Sequence, residues 1–179
     1  LVFGLAGRSE GNNILSMQAG DKQISKKMKW FLIIFLVAAG ALQLGKFYWP
    51  KATLELKGEK LNVLVAKTYY QQRKGLGGRE TLAPYDGMLF LFSFPAKQAF
   101  VMRDMEFPID IVWFNNGVVV DIAKNVQPEL NVSEAALTRY YPRAEATAVL
   151  ELAAGWVETN HLKIGDSLLI LENSGMLKP

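Results

Sequence analysis

Asp104 and Glu106 stand two positions apart, so on an extended segment both carboxylates face the same side. Asp110 follows within a run that otherwise reads Ile, Ile, Val, Trp, Phe. Paired carboxylates perform acid–base chemistry when their surroundings split their pKa values. They also suit a hard cation such as Ca2+, which takes several oxygen ligands. The competing reading pairs Asp104 and Asp110 with Arg73, Arg79 or Arg103 and merely ties a sheet to a helix. For Asp110 that reading is favoured, because charges on apolar strands are as a rule paired. The same three arginines match the fork geometry of carboxylates and phosphates, and Gly75, Gly77 and Gly78 let a ligand approach the backbone closely. Met88, Met102 and Met105 with Phe90, Phe92, Phe100 and Trp113 read as core or as the wall of a soft apolar pocket, Met102 standing out beside Arg103 and Asp104. The expected ligand-binding groove is Arg73, Arg79, Met102, Arg103 and Asp104, with Asp110 and Glu151 in support; no residue is given a catalytic role.

Composition removes several chemistries. The 179 residues include no cysteine, which excludes disulfides, thiolate metal sites and thiol nucleophiles. His161 is the single histidine and cannot anchor a zinc site without a second imidazole or a thiolate. Its place before Leu162 and Gly165 suits a helix C-terminus. No Gly-Lys-Ser/Thr follows the glycines at 75–78, so they are not a P-loop. No metal and no cofactor is expected. The net charge of +3 is unevenly spread. Residues 1–49 hold six Lys/Arg against Glu10 and Asp21, and residues 50–179 hold the other fourteen against fifteen Asp/Glu, giving +4 and −1. A nearly neutral domain has no footprint for a phosphate backbone, so nucleic acid is not an expected partner.

The elements that must position these residues begin at Pro50. Residues 52–57 and 61–67 read as a hairpin around Gly58-Glu59-Lys60. Thr68-Tyr69-Tyr70-Gln71 matches a capping box and predicts a short helix to about Lys74. Residues 88–94 (MLFLFSF) are apolar enough for a strand buried on both faces. Residues 99–102 and 109–114 continue the β character, Asn115-Asn116-Gly117 is a hairpin turn, and 118–123 is the returning strand. Residues 125–146 read as a long loop, 147–152 and 167–172 as late strands, and about 155–161 as a second short helix. The fold class is α+β: a small barrel or strongly coiled antiparallel or mixed sheet carrying two short helices.

Ahead of this domain, residues 30–44 read WFLIIFLVAAGALQL. Counting through Trp49 the segment is long enough to cross the hydrocarbon layer of about 30 Å. Lys22, Lys26, Lys27 and Lys29 precede it, which places the N-terminus in the cytoplasm and residues 50–179 outside. Trp30 at one end and Phe47, Tyr48 and Trp49 at the other suit the two interfaces. Three readings stay open, in this order: a permanent anchor, a signal cut near Ala39-Gly40-Ala41, and a buried core helix. The expected organisation is a disordered cytoplasmic tail over 1–27, a membrane anchor or signal over 28–49, and an extracytoplasmic β-rich domain over 50–179. Leu1 is not an initiator, and Met17 and Met28 are alternative starts.

Three stretches carry a family likeness. Arg73-Lys74-Gly75-Leu76, Arg79-Glu80-x-Leu82 and Asp86-Gly87-Met88-Leu89-Phe90 form the first. Phe100 to Met105 with Pro108-Ile109-Asp110-Ile111 form the second. Leu150-Glu151-Leu152-x-Ala154-Gly155-Trp156 with Gly165-Asp166 form the third. In order and spacing, over roughly 61–171, they resemble the signatures of the domain of unknown function 192 family. The resemblance implies a small β-rich fold, often behind a signal peptide or anchor, and names no activity. The chain departs from the pattern at Gly77, where the family usually has Met, and at 101–105, where it usually has Trp-Met-Lys-Asn-Thr. The resulting expectation is a membrane-anchored binding or accessory module for a small polar or anionic ligand or an envelope partner. The alternative is a hydrolase or lyase acting on an envelope polymer through Asp104 with Glu106 or Asp110.

Overall fold

The computed structural model describes residues 25–45 and 49–173, with side chains described as far as Gly40 in the first stretch and Leu171 in the last. The tail expected over 1–27 lies, up to residue 24, outside the described residues, as do Phe47 and Tyr48. The chain divides into two units, Leu1–Gln43 and Leu44–Pro179. The first contains most of helix α1 (Lys26–Gly45). Its apolar residues lie on every side, and Trp30, Phe31, Ile34, Phe35, Leu36 and Val37 are exposed. Among the described residues no helix is long and apolar enough to cross a membrane; the span expected over 30–49 lies partly outside them.

In the second unit, β1 (Lys51–Leu56) and β2 (Glu59–Ala66) form a hairpin. Its turn is Lys57-Gly58, one residue earlier than the expected Gly58-Glu59-Lys60. Both residues have positive φ (58° and 83°), and such two-residue turns match the twist of paired strands. Helix α2 (Tyr69–Lys74) starts on the expected capping box: the Gln71 N–H donates to Thr68 Oγ1 at 3.3 Å, and Gln71 Oε1 accepts from the Thr68 N–H at 3.0 Å. The chain then returns to place β3 (Gly87–Ala96) parallel to β2, the one parallel pairing among the named strands. Strands β4 (Ile109–Asn115) and β5 (Val118–Val126) turn at Asn116-Gly117, again with positive φ at both residues. Strand β6 (Ala146–Ala153) inserts between β3 and β4, antiparallel to both. Helix α3 (Trp156–Thr159) and β7 (Leu168–Asn173) finish the unit.

The sheet order is β5-β4-β6-β3-β2-β1-β7. Its two outer strands meet at one end, where Val118 bridges Ser167 and the Leu168 N–H donates to the Gly117 carbonyl at 2.8 Å. The result is a mixed, seven-stranded half-barrel with few short helices, as the α+β expectation required. One expected strand is absent. Residues 99–102 do not join the sheet, and only Phe100 pairs, in an isolated bridge with Tyr140. The reason is that both edges of β3 are already taken, by β2 and β6. This stretch therefore crosses the sheet's outer face as a cover.

The central strands are buried on both faces. Leu54, Val63, Leu89, Val112, Phe114, Leu150 and Leu152 fill the inside of the half-barrel. The alternate residues of the same strands, including Leu64, Met88, Phe90, Ile111, Trp113 and Val149, form a second cluster outside. Loop residues Leu76, Phe100, Met102 and Met105 cover it.

Candidate functional site

Where loops rather than strands cover the outer cluster, a cavity of about 510 Å3 remains. Its walls come from the end of α2 (Tyr69, Gln72, Arg73, Lys74), the far half of β3 (Phe90 to Phe94), the covering stretch (Gln98 to Val101, Arg103, Met105) and Glu134. Helix α2 is held over β3 by Gln72, whose Nε2 donates to the Leu91 carbonyl at 2.7 Å. Phe100 organises the apolar wall. Its ring stands edge-on to Phe90 (centroids 4.9 Å apart, 86° between planes), Phe92 (6.5 Å, 89°) and Trp113 (6.1 Å, 88°). These are the edge-to-face geometries that aromatic quadrupoles favour.

Glu151 lines this cavity from β6. It pairs in register with Met88 on one side and Ile111 on the other, which puts its side chain on the outer face. It is 5% exposed, and its Oε2 has no hydrogen-bond partner. Burial without a compensating charge raises its carboxyl pKa from an ordinary 4.5 to about 8. At neutral pH it is therefore a carboxylic acid, with one O–H to donate. The rim is basic: Lys67, Arg73, Lys74, Arg103 and Arg139 line the cavity with Glu134 as the other acidic residue. Arg103 holds Glu134 through both Nε and Nη2, and its Nη1 donates to the Arg73 carbonyl at 3.0 Å. That clasp raises the Arg103 pKa further and lowers that of Glu134. Arg73 Nη2 lies 3.9 Å from the same carboxylate.

The structure brings Arg73, Arg103 and Glu151 to one cavity and sends the other expected residues elsewhere. Arg79 does not line it. Met102 is 1% exposed core. Asp104 has a left-handed backbone (φ 53°) and, with Glu106, lines a separate groove of about 610 Å3 on the other side of Arg103. Asp or Asn tolerates that backbone better than most residues. Asp110 is buried on the inner face, by alternation with Ile109 and Ile111. Its partners are not arginines, as expected, but backbone donors: Oδ1 accepts from Asn125 at 2.8 Å and Oδ2 from Val157 at 2.9 Å. Two N–H groups satisfy the carboxylate as an arginine would, and they pin β5 and the start of α3 to β4. Among the described residues no group of three or more His, Asp or Glu side chains is placed to hold a metal ion.

Sequence reasoning missed Glu134 and Arg139, which lie in the stretch read as a loop, and the clasp of Asp121 by Arg143. There, the Arg143 N–H donates to Asp121 Oδ2 at 2.6 Å and Nη2 to Oδ1 at 2.7 Å. Burial pushes the Asp121 pKa up, but these bonds outweigh it and leave it below the ordinary range. The signal that pointed at Glu151 was the family likeness, whose third stretch contains it.

The residues that carry the family likeness separate into scaffold and site. Asp86 accepts from the Asn62 N–H at 2.7 Å, and Asp166 accepts from the Lys163 N–H at 2.7 Å and from Lys57 Nζ at 3.3 Å. Gly87 lies so close to β6 that a Cβ there would sit 2.4 Å from the Glu151 carbonyl oxygen. At Gly77, where the likeness departs, a Cβ would meet the Arg103 carbonyl oxygen at 2.8 Å. Asp86, Asp110 and Asp166 thus hold backbone; Glu151 is the buried carboxyl with an oxygen left open.

Comparison with curated proteins gives no match. Two crystal structures resemble the chain. One is a protein of unknown function from Novosphingobium aromaticivorans, 28% identical over 66% of this chain and 82% of that one, with a TM-score of 0.56. The other, from Sinorhizobium meliloti, is described as a candidate transcription regulator; it is 28% identical over 72% of this chain and 96% of that one, with a TM-score of 0.57. The model of the domain of unknown function 192 (DUF192) family, described as an uncharacterized ACR, matches residues 52–170, which hold the whole half-barrel except its last strand residues and the start of β1, and the chain belongs to that family.

Proposed function

We propose that residues 50–179 form a binding or accessory module for a small polar or anionic ligand, tethered to the outer side of the cytoplasmic membrane by residues 30–49. The observation that carries the binding half is Glu151: a buried carboxyl without a partner at Oε2, facing a cavity with an aromatic wall and a basic rim. An unsatisfied buried polar group costs stability, and pockets that combine apolar walls with a few convergent polar groups are typical ligand sites. Five basic residues on the rim attract anions. The tether is supported by the apolar run and the lysines before it.

A thermal-shift screen of the full chain in mild detergent against small organic acids, sugars and nucleotides tests the binding half. A ligand at about a hundred times its Kd stabilises by about 2.7 kcal/mol. Arg103→Ala weakens that shift and Asp104→Ala, in the neighbouring groove, leaves it intact. Equal loss with both variants would move the site away from this cavity. Alkaline extraction of membranes tests the tether: an anchored chain stays in the pellet, and a chain washed into the supernatant is not anchored. The hydrolase or lyase reading requires two carboxylates across one cleft; Asp110 is committed to backbone N–H groups, which leaves that reading to Asp104 and Glu106 in the groove beside Arg103.

A further inference from the structure

We propose that the cavity takes an amphiphilic organic anion: an acidic group at the basic rim, an apolar body about the size of one aromatic ring against Phe90, Phe92 and Phe100, and a hydrogen-bond acceptor at its inner end that accepts a hydrogen bond from the Glu151 O–H. This rests on the anion-binding reading of the cavity and adds which end of the ligand goes where. Three observations specify it. The cavity is about 510 Å3, room for a ligand of modest size. Its charge is segregated, with Arg73, Arg103 and Glu134 joined by ion pairs toward solvent and Glu151 buried on the sheet. The apolar wall of the same cavity is built from edge-to-face rings.

The choice of an acceptor follows from electrostatics. An aromatic wall beside a carboxylate would suit an ammonium group. Here the cavity carries five basic residues against Glu134 and Glu151, and burial keeps Glu151 uncharged at neutral pH. A cation entering would meet a positive field and no formal negative charge at Glu151. A carbonyl, ether or ring nitrogen meets a donor with nothing else to bond to. A second anionic group at the inner end is disfavoured, because one O–H does not repay burying a charge.

The test uses the full chain and isothermal titration with four probes: para-acetylbenzoate, its apolar isostere para-isopropylbenzoate, the uncharged para-methylacetophenone and the zwitterion para-(aminomethyl)benzoate. At about pH 6.5 para-acetylbenzoate binds about tenfold more tightly than each of the others, since each lacks one half of the complementarity. Glu151→Gln keeps a donor of similar shape and retains the preference for the acetyl group; Glu151→Leu abolishes it. Raising the pH to about 9.5 removes the preference in the wild type, once the carboxyl ionises, but not in Glu151→Gln. The other ionisable groups lining the cavity are Lys67, Tyr69, Arg73, Lys74, Arg103, Glu134 and Arg139, and the Gln variant controls for them. Equal binding of the acetyl and isopropyl acids, both above the uncharged ketone, overturns the role of Glu151 and leaves the anion site standing. Preference for the aminomethyl probe overturns the orientation of charge. Failure of all four to bind overturns this inference and the anion-binding reading together.

Discussion

The inner and outer faces of the central strands solve the same packing problem by different means. Inside, strand packs across from strand, and the alternation of side chains lets Leu, Val and Phe interdigitate, except at one end, where a second cavity of about 440 Å3 lies against Leu89, Phe114 and Leu168. Outside, the cover is loop: residues 75–86, the stretch around Phe100, and residues between Tyr140 and Ala146. Loops must satisfy their own backbone groups while they cover, so they seldom close a surface fully. The cavity is what they leave. The contrast is sharpest between two carboxyls on neighbouring strands. Asp110 pairs with Leu152, and Ile111 pairs with Glu151, so the two acids are one register step apart and point to opposite faces. Asp110 has both oxygens engaged by backbone donors; Glu151 has an oxygen with none. One face is built for stability, and the other retains an unsatisfied group at the wall of a cavity.

Five changes break or sharpen this comparison. Leu150→Ala, on the fully buried inner face and away from either cavity, costs about 4 kcal/mol, because a new cavity opens with nothing to fill it. Phe100→Ala removes a larger side chain, but at the edge of an existing cavity, and costs about half as much. Urea denaturation of the full chain compares them, and equal losses would mean that the outer cover is packed as tightly as the inside.

Glu151 gives the next largest effect, and its sign is opposite. Below pH 4.5 its carboxyl is protonated folded and unfolded, with no contribution to stability. As pH rises toward about 8 the unfolded chain gives up the proton and the fold keeps it, so stability falls by about 1.36 kcal/mol per pH unit and then levels off. Glu151→Gln removes this penalty. Relative to wild type it gains about 3 kcal/mol between about pH 6 and pH 9, read from melting curves across that range. Parallel curves for the two proteins would show that Glu151 is not held as the acid.

Asp110→Asn leaves one of the two N–H groups that its carboxylate accepts from facing an amide NH2 and costs about 2 kcal/mol, read as a shift in the urea midpoint. Loss at Asp110 with no loss at Glu151 is the pattern the comparison requires. Arg103→Ala has the smallest effect on folding, because its clasp with Glu134 is open to solvent. Its melting temperature stays near wild type while affinity for anions falls, which separates the rim from the scaffold.

Much of the fold was readable from local rules. The capping box at Thr68, the Asn116-Gly117 turn and the apolar run of β3 each encode a single element through contacts a few residues apart. The hairpin turn slipped by one residue because Lys57, not an obvious turn former, takes positive φ beside Gly58. The stretch 99–102 has strand character in sequence, and lost its place because no sheet edge was open to it. The site was harder to see. Arg73 and Arg103 were expected together and are, yet their shared partner Glu134 lies in the stretch that showed no periodicity.

The amino-acid sequence alone determined the absence of thiol chemistry, the charge division between arm and domain, the half-barrel's elements and the family, because each depends on composition or on near neighbours. Tertiary structure decided which carboxyl is spent and which is open. Asp110 and Glu151 both look like lone charges in apolar strands, and only the strand register and the loops above it decide which one meets backbone N–H groups. A side chain's hydrogen-bond partners are brought from far along the chain (Val157 to Asp110, Arg143 to Asp121), and no spacing rule reaches that distance.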